Sequence, residues 1–253
     1  MSIERIALIT GATSGIGEAT ARLLAKHNFK LILCGRRQDR LDHLKRDLSK
    51  ETTVTTLSFD VREKEAVHAA VSTLPAEWRD IDVLVNNAGN AHGLDPIQSG
   101  STEDWDAMID INVKGLLYVS REILPHMVAR RSGHIINLGS IAGKEVYPNG
   151  NVYSASKFAV DALSKGMRLD LNSFGIKVTA IHPGLVETEF SLVRFKGDAE
   201  RASGAYQGMQ PLKGEDIADL ILFALTRPPH VVIADLVVFP AAQASATLVN
   251  RQS

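Results

Sequence analysis

The chain has 253 residues, 45% of them hydrophobic and 23% charged, with a formal net charge of −1. That is enough apolar material for one large packed α/β domain. So balanced a charge excludes the strong single-sign field that draws a protein to nucleic acid or to an anionic membrane.

Residues 1–10 hold a short apolar run broken by Glu4 and Arg5, too short and too charged for the core of a secretory leader. Residues 6–10 read as a strand. A helix is expected over 15–27, with Ile16, Ala19, Leu23 and Leu24 at helical spacing. Strand 30–34 ends at Cys34, the single cysteine. No intrachain disulfide is therefore expected, which fits a reducing compartment, and Cys34 reads as a small buried apolar side chain. A helix over 37–49, a strand over 54–58, a helix over 64–73 and a strand over 83–86 follow. A long helical region covers 102–131, where Pro125 is expected to kink or divide it. Strand 134–138, helix 152–173, strand 177–181, helix 214–226 and a last strand over 231–239 complete the series before a polar tail. No stretch reaches the roughly 18 apolar residues of a membrane span, so the expected location is the cytoplasm.

This alternation predicts a single α/β domain over residues 1–253. The expected fold is a Rossmann-like doubly wound sheet of about seven mostly parallel strands with helices on both faces. One segment breaks the rhythm. Residues 187–213 mix Gly197, Gly204 and Gly208 with Phe190, Arg194, Phe195, Lys196 and Tyr206. Such an insertion reads either as a lid over a site or as a surface loop.

Thr10, Gly11, Ala12, Thr13, Ser14, Gly15, Ile16 and Gly17 join the first strand to the first helix. Glycines there let the backbone approach a pyrophosphate, and the helix N-terminus offers its unpaired N–H groups. The spacing is G-x-x-x-G-x-G, not the commoner G-x-G-x-x-G; on its own it fits a structural turn as well. The second strand discriminates between dinucleotides. An acid at its end would hold a ribose 2′-hydroxyl, but Gly35, Arg36 and Arg37 stand there. A guanidinium grips a 2′-phosphate, so Arg36, supported by Arg37, points to NADP; the alternative is a pair of surface arginines at a helix start. Asp60, with Val61 after the third strand, either accepts from the adenine amino group or caps the next helix. Asn87, Ala88 and Gly89 follow the fourth strand, where small residues admit a cofactor close to the backbone, or simply make a turn.

Tyr153 and Lys157 are one helical turn apart and share a face, and Ser140 follows the fifth strand. A carbonyl receiving a hydride needs a nearby acid. A tyrosine with an ordinary pKa of about 10 can also serve as the base in the reverse direction if nearby positive charge favours tyrosinate. A Y-x-x-x-K pair alone is weak, being common on helix surfaces. In order along the chain, however, the TGATSGIG turn, the NNAG segment, Asn112, Ser140, YSASK and PGLVET resemble the short-chain dehydrogenase/reductase family over essentially the whole sequence.

The resemblance implies an oxidoreductase with a catalytic tetrad. Tyr153 would be the acid/base, and Ser140 would hydrogen-bond the substrate oxygen. Lys157 would hold the nicotinamide ribose and lower the tyrosine pKa, and Asn112 would hold a water in a proton relay. It also places Ile16, Asn87, Val186 and Thr188 against the cofactor, with Pro183 and Gly184 shaping the nicotinamide end. The stretches 139–143, 147–153 and 184–198 are similar to the branch of NADP-dependent 3-hydroxy acid dehydrogenases, acting on L-serine, L-allo-threonine and 3-hydroxy acids, and to sulfoacetaldehyde reductases. Both substrate sets are short anions, and an anion in a dry pocket needs a cation. Arg194 is the first candidate, with Lys144, Lys196 and Arg201 behind it. Glu187 and Glu189 could be mistaken for a metal or acid/base pair, but Glu187 reads as local loop structure, and the scattered histidines indicate no catalytic metal. The resemblance implies a homotetramer with helices 102–131 and 152–173 at an interface, and residues 239–249 are expected to reach a neighbouring subunit. A non-catalytic NADP(H) sensor is the alternative of another class; intact Ser140, Tyr153 and Lys157 argue against it.

Overall fold

The computed structural model describes residues 4–252; residues 1–3, which open the N-terminal run, lie outside the described residues. Seven strands form one parallel sheet in the order β3-β2-β1-β4-β5-β6-β7: β1 (Arg5–Thr10), β2 (Phe29–Gly35), β3 (Val54–Ser58), β4 (Val83–Asn86), β5 (Gly133–Leu138), β6 (Ile176–Pro183) and β7 (Asp235–Val238). The expected doubly wound sheet is thus observed, with its order reversing between β1 and β4. The carboxyl ends of strands on either side of that switch open a crevice, the usual ligand position in such sheets.

Residues alternate between the two faces of a strand, and both faces here are apolar, as a sheet covered on both sides requires. Ala7 and Ile9 of β1, Leu31 and Leu33 of β2 and Val83 and Val85 of β4 face one layer. That layer is closed by α1 (Gly15–Ala25), α2 (Gln38–Leu48) and α9 (Gly214–Leu225). Ile6 and Leu8, Ile32 and Cys34, and Leu84 face the other layer. There they meet α3 (Lys64–Ser72), α5 (Gly115–Arg130) and α6 (Asn151–Leu171). Cys34 is a core residue, and burial pushes its thiol pKa up, so it packs and does not react.

Two elements differ from expectation. The long helical region is not divided at Pro125: α5 runs through it to Arg130. The proline forfeits one bond, to the carbonyl of Arg121, and surrounding packing holds the turn. The interruption lies earlier, where α4 (Thr102–Ile109) passes into one π-helical turn over Asp110–Lys114 before α5. The π turn carries Asn112, and such turns often mark functional positions. β7 is also shorter than the expected 231–239, because its pairing with β6 begins at Asp235 opposite Ala180. Within 187–213 two short helices form, α7 (Glu189–Arg194) and α8 (Ala199–Gly204). Their base is stapled where Val186 bridges Leu212 and Glu187 N–H donates to the Leu212 carbonyl at 2.8 Å. Among the described residues, no helix is long and apolar enough to cross a membrane.

Candidate active site

A cleft of about 200 Å³ opens at the carboxyl ends of β1, β4, β5 and β6. At one end, Gly11 and Gly15 make the turn into α1 with φ of +63° and +53°, backbone that favours glycine. Ser14 is the N-cap of α1, but its side chain makes no capping bond, so the first N–H groups of the helix face the cleft beside Ile16. Gly17 packs under the turn, where a Cβ would lie 2.3 Å from the Gly11 carbonyl oxygen. Asn87 ties this turn to β4: its Nδ2 donates to the carbonyls of Thr10 (2.9 Å) and Gly11 (3.2 Å). Ala88 and Gly89 continue along the cleft wall, and Pro183, Gly184, Val186 and Thr188 line the facing wall. The turn, the exposed helix N-terminus and these small walls suit a dinucleotide pyrophosphate.

Beyond the end of β2, Arg37 reaches back to the turn. Its Nη2 donates to Thr13 Oγ1 (3.0 Å) and Ser14 Oγ (3.1 Å), and its Nη1 to Glu189 Oε2 (3.0 Å). Arg36 pairs with Asp60 at 3.4 Å. Asp60 neither caps α3, whose N-cap is Glu63, nor offers an uncommitted carboxylate. Arg62 takes it through its backbone N–H (3.0 Å) and its guanidinium (2.7 Å). Burial works against that carboxylate, yet the hydrogen bonds from Arg62 hold its pKa below the ordinary range. Val61 is buried and packs closely against Gly115 of α5, a packing position behind the cleft wall.

At the other end, Ser140 follows β5 and accepts from Ala142 N–H at 3.1 Å, which fixes its hydroxyl beside the cleft. Gly143 lets α6 approach this turn, since a Cβ there would stand 2.5 Å from the Lys157 carbonyl oxygen. Tyr153 and Lys157 are both buried on α6 and both line the cleft. Lys157 Nζ donates to the Leu138 carbonyl at 2.9 Å. Asn112 fastens the end of the β4 loop: Nδ2 donates to the Asn90 carbonyl (2.8 Å) and to Ser156 Oγ (3.0 Å), and Oδ1 accepts from Asn90 N–H (2.9 Å).

The electrostatics correct one expectation. Burial raises the Tyr153 pKa to about 12, helped by Tyr147, while a hydrogen bond from Ser140 and the charge of Arg194 act to lower it. Burial lowers that of Lys157 to about 8. In the protein itself the cation acting on the phenol is Arg194, while the Lys157 ammonium is directed at a backbone carbonyl.

The other anion-clamp candidates are committed elsewhere. Lys144 Nζ sits between Asp161 (2.8 Å) and Asp235 (2.5 Å), Lys196 pairs with Asp104 at 2.9 Å, and Arg201 lies over the exposed side of Phe195. Arg194 alone of the four packs on Tyr153, in a small pocket that adjoins the cleft at that ring. Its guanidinium is ringed by Tyr153, Tyr147 and Phe190, with its carbon 5.2, 5.6 and 5.8 Å from their centroids. It donates to the Tyr147 hydroxyl, and its buried Nε has no hydrogen-bond partner. Glu187 is bound into the loop base, as expected, whereas Glu189 pairs with Arg37 and Arg40 across the chain.

Sequence reasoning missed Phe190, Val193, Leu138 and Asn90, which also line the cleft; Phe190 lies inside the 184–198 stretch and was the most accessible of them. It also missed a polar chain beneath the site. Asn86 Nδ2 donates to Asn137 Oδ1 and to Ser120 Oγ, and Asn137 Nδ2 to Ser164 Oγ, each at 3.0 Å, locking β4, β5, α5 and α6 together.

The sequence profile described as short chain dehydrogenase matches residues 5–198. The chain belongs to the short-chain dehydrogenase family. Among its relatives in this family, the NADP-dependent 3-hydroxy acid dehydrogenase YdfG of Salmonella typhi is 48% identical over 249 residues, spanning 98% of this chain and all of the relative. Sulfoacetaldehyde reductase 2 of Chromohalobacter salexigens is 44% identical over 248 residues, 97% of this chain and 98% of the relative. The closed form of a serine dehydrogenase complexed with NADP+ superimposes with a TM-score of 0.92 at 47% identity, covering 98% of this chain and 100% of that one. As a short-chain dehydrogenase, the chain shares its fold with that solved relative.

Proposed function

We propose that the chain is an NADP(H)-dependent dehydrogenase that interconverts a short anionic 3-hydroxy acid, of the serine, allo-threonine or 3-hydroxypropionate type, with its carbonyl form. The observation that carries this reading is the Arg194 guanidinium seated against the ring of Tyr153, in a small pocket that adjoins the cleft at that ring: a proton donor and a candidate anion receptor stand side by side. The relatives named for NADP-dependent action on 3-hydroxy acids and on serine support it.

NADPH, when bound, supplies the hydride. The glycine turn and the α1 N-terminus would hold its pyrophosphate, Arg36 and Arg37 its 2′-phosphate, and Lys157 its nicotinamide ribose. Asn87, Asn112 and Thr188 fix the walls around it. Ser140 holds the carbonyl oxygen, and Tyr153 gives that oxygen its phenolic proton as the alcohol forms. Because burial keeps Tyr153 protonated through neutral pH, the phenol is ready as an acid. In the reverse direction it must lose its proton first, and Ser140 and Arg194 are the groups that ease this.

Isethionate formation from sulfoacetaldehyde is the second reading, supported by the relative of that name; a sulfonate meets the same guanidinium. Screening serine, 3-hydroxypropionate, 3-hydroxyisobutyrate and isethionate with NADP+ tests both. Turnover of the carboxylates above isethionate supports the first reading, and the reverse order supports the second. NADPH binding without turnover of any of them, or of the matching aldehydes, would make the chain a sensor.

The assembly we propose is a homotetramer in the cytoplasm. The exposed apolar side chains Leu117 of α5 and Phe158 and Leu169 of α6 support subunit contacts along those helices.

A further inference from the structure

Glu189 opens α7, directly after Thr188, whose side chain lies against Gly15 of the phosphate turn. Its carboxylate reaches the arginines that follow β2. Oε2 accepts from Arg37 Nη1 at 3.0 Å, and Oε1 from Arg40 Nη1 at 2.7 Å. The same Arg37 guanidinium holds Thr13 and Ser14 of the turn. From Glu189 the helix continues to Phe190 and Arg194, both packed on Tyr153. One carboxylate therefore connects the arginines beyond β2 to the helix that covers the tyrosine. These ion pairs are half exposed and so individually weak. A phosphate monoester dianion carries more charge and accepts bidentately from a guanidinium fork, so it outcompetes a carboxylate for Arg37.

We infer that Glu189 is a positioning and cofactor-discriminating residue: it holds Arg37 and latches α7 over the cleft, and it gives up Arg37 to a 2′-phosphate, so that the adenosine end of the cofactor sets the position of α7. The inference rests on Arg36 and Arg37 forming the 2′-phosphate subsite. A cofactor without that phosphate leaves the latch in place. The far end of α7 stays tied, because Gly93 N–H donates to the Arg194 carbonyl at 3.0 Å, and Arg40 keeps its bond to Glu189 Oε1; the movement is a partial loosening of the first turn.

The test uses the full chain with adenosine 2′,5′-bisphosphate and with 5′-AMP, reading affinity by calorimetry and backbone hydrogen exchange over residues 189–194. In the wild type, the bisphosphate raises exchange there severalfold and 5′-AMP does not. In Glu189→Gln, exchange starts high and the bisphosphate no longer changes it. That variant also binds the bisphosphate about fivefold more tightly, the scale of one exposed ion pair, with 5′-AMP affinity unchanged. A general loosening of the fold would not depend on the 2′-phosphate. If the bisphosphate is preferred, and the preference falls in Arg37→Ala, but exchange over 189–194 stays the same or drops, the coupling is wrong while the subsite stands. An unchanged or weaker bisphosphate affinity in Glu189→Gln overturns it likewise. If the preference for bisphosphate is missing, or survives both Arg36→Ala and Arg37→Ala, the subsite reading falls and takes the inference with it.

Discussion

The guanidinium carbon of Arg194 lies 5.2 Å from the centroid of the Tyr153 ring, so the segment after β6 delivers a positive charge to the face of the phenol. Under the proposed function the same group would bear on both the substrate anion and the proton that the anion's carbonyl receives. A guanidinium over an aromatic face is itself a favourable contact, which holds the charge in place between turnovers.

Arg194→Ala separates these roles. A hydrogen bond to a charged group is worth about 1.5–3 kcal/mol, so KM for a 3-hydroxy acid rises roughly 10- to 100-fold. A neutral alcohol of equal size loses far less. The ascending limb of the oxidation rate, which rises with pH as Tyr153 deprotonates, moves to higher pH because the cation that stabilises tyrosinate is gone. Equal losses on the two substrates remove Arg194 as the anion clamp. Arg194→Lys restores part of the charge but neither the fork nor the stacking, so recovery is incomplete.

Lys157 is held for chemistry at a cost to stability. Burial lowers its pKa from 10.5 to about 8. Below pH 8 the folded protein carries a buried ammonium, a penalty of about 3 kcal/mol. Between 8 and 10.5 the unfolded chain binds more protons, so the penalty fades as pH rises, and above 10.5 it is gone. Lys157→Met loses the bond to the Leu138 carbonyl, worth about 1 kcal/mol. At pH 7 the variant is therefore more stable by about 2 kcal/mol, or about 4–8 °C in Tm, and inactive. Scanning calorimetry at pH 7 and pH 10.5 checks the sign: the advantage must shrink with pH. In the wild type, kcat/KM for reduction falls above about pH 8, and Lys157→Arg displaces that limb upward if it retains activity.

The sheet was readable because both sources of its order are local: apolar runs of strand length, and turn residues between them. The cleft positions from Gly11 to Gly17, Asn87 to Gly89 and Pro183 to Thr188 were readable because strand ends share one rim. Committed side chains were not. Lys144, Lys196 and Arg194 look alike in sequence, and only folding shows two of them neutralised by Asp161, Asp235 and Asp104. The π turn at Asn112 was hidden for a related reason. A one-residue change in hydrogen-bond spacing leaves almost no mark on hydrophobic periodicity, whereas Pro125 is conspicuous and yet tolerated. His182 shows the same limit: fully buried, it reaches the Ser140 carbonyl through Nδ1 at 3.2 Å and faces Asp235 at 3.2 Å through Nε2. Nothing near His182 in the chain signals those partners.

Cofactor preference is testable at Gly35. An added Cβ there meets Thr13 Cγ2 at 3.0 Å, and an acid at this strand end repels a 2′-phosphate while accepting from a ribose 2′-hydroxyl. Gly35→Asp lowers the kcat/KM ratio of NADP to NAD at least about tenfold, the effect of roughly 1.4 kcal/mol, with some lost stability from the crowded threonine. Adding Thr13→Ser removes the clashing methyl but keeps the hydroxyl that Arg37 holds. Melting temperature recovers in the double variant while the altered preference persists. An NADP preference unchanged in both variants would falsify the assignment of this strand end to the 2′-phosphate.

The C-terminal residues fold back on their own chain. Gln243, buried, accepts from Leu185 N–H at 2.8 Å through Oε1. Ala246 N–H donates to Glu145 at 2.7 Å, Gln252 N–H to the Gly208 carbonyl at 2.8 Å, and Arg251 to the Ala205 carbonyl at 3.0 Å. The tail thereby joins the loop after Ser140, the loop after β6 and the end of α8. Cutting the chain after Phe239 strands the Leu185 N–H, costing about 1–3 kcal/mol, and releases the segment carrying Arg194. Substrate KM rises about tenfold or more, NADPH affinity changes less, and proteolysis at Arg194 and Lys196 accelerates. Sedimentation of the cut chain against the full one tests the expected reach of the tail to a neighbouring subunit: an unchanged assembly state with raised KM assigns the tail to its own active site. A lost assembly state with KM unchanged would instead give the tail to a neighbouring copy.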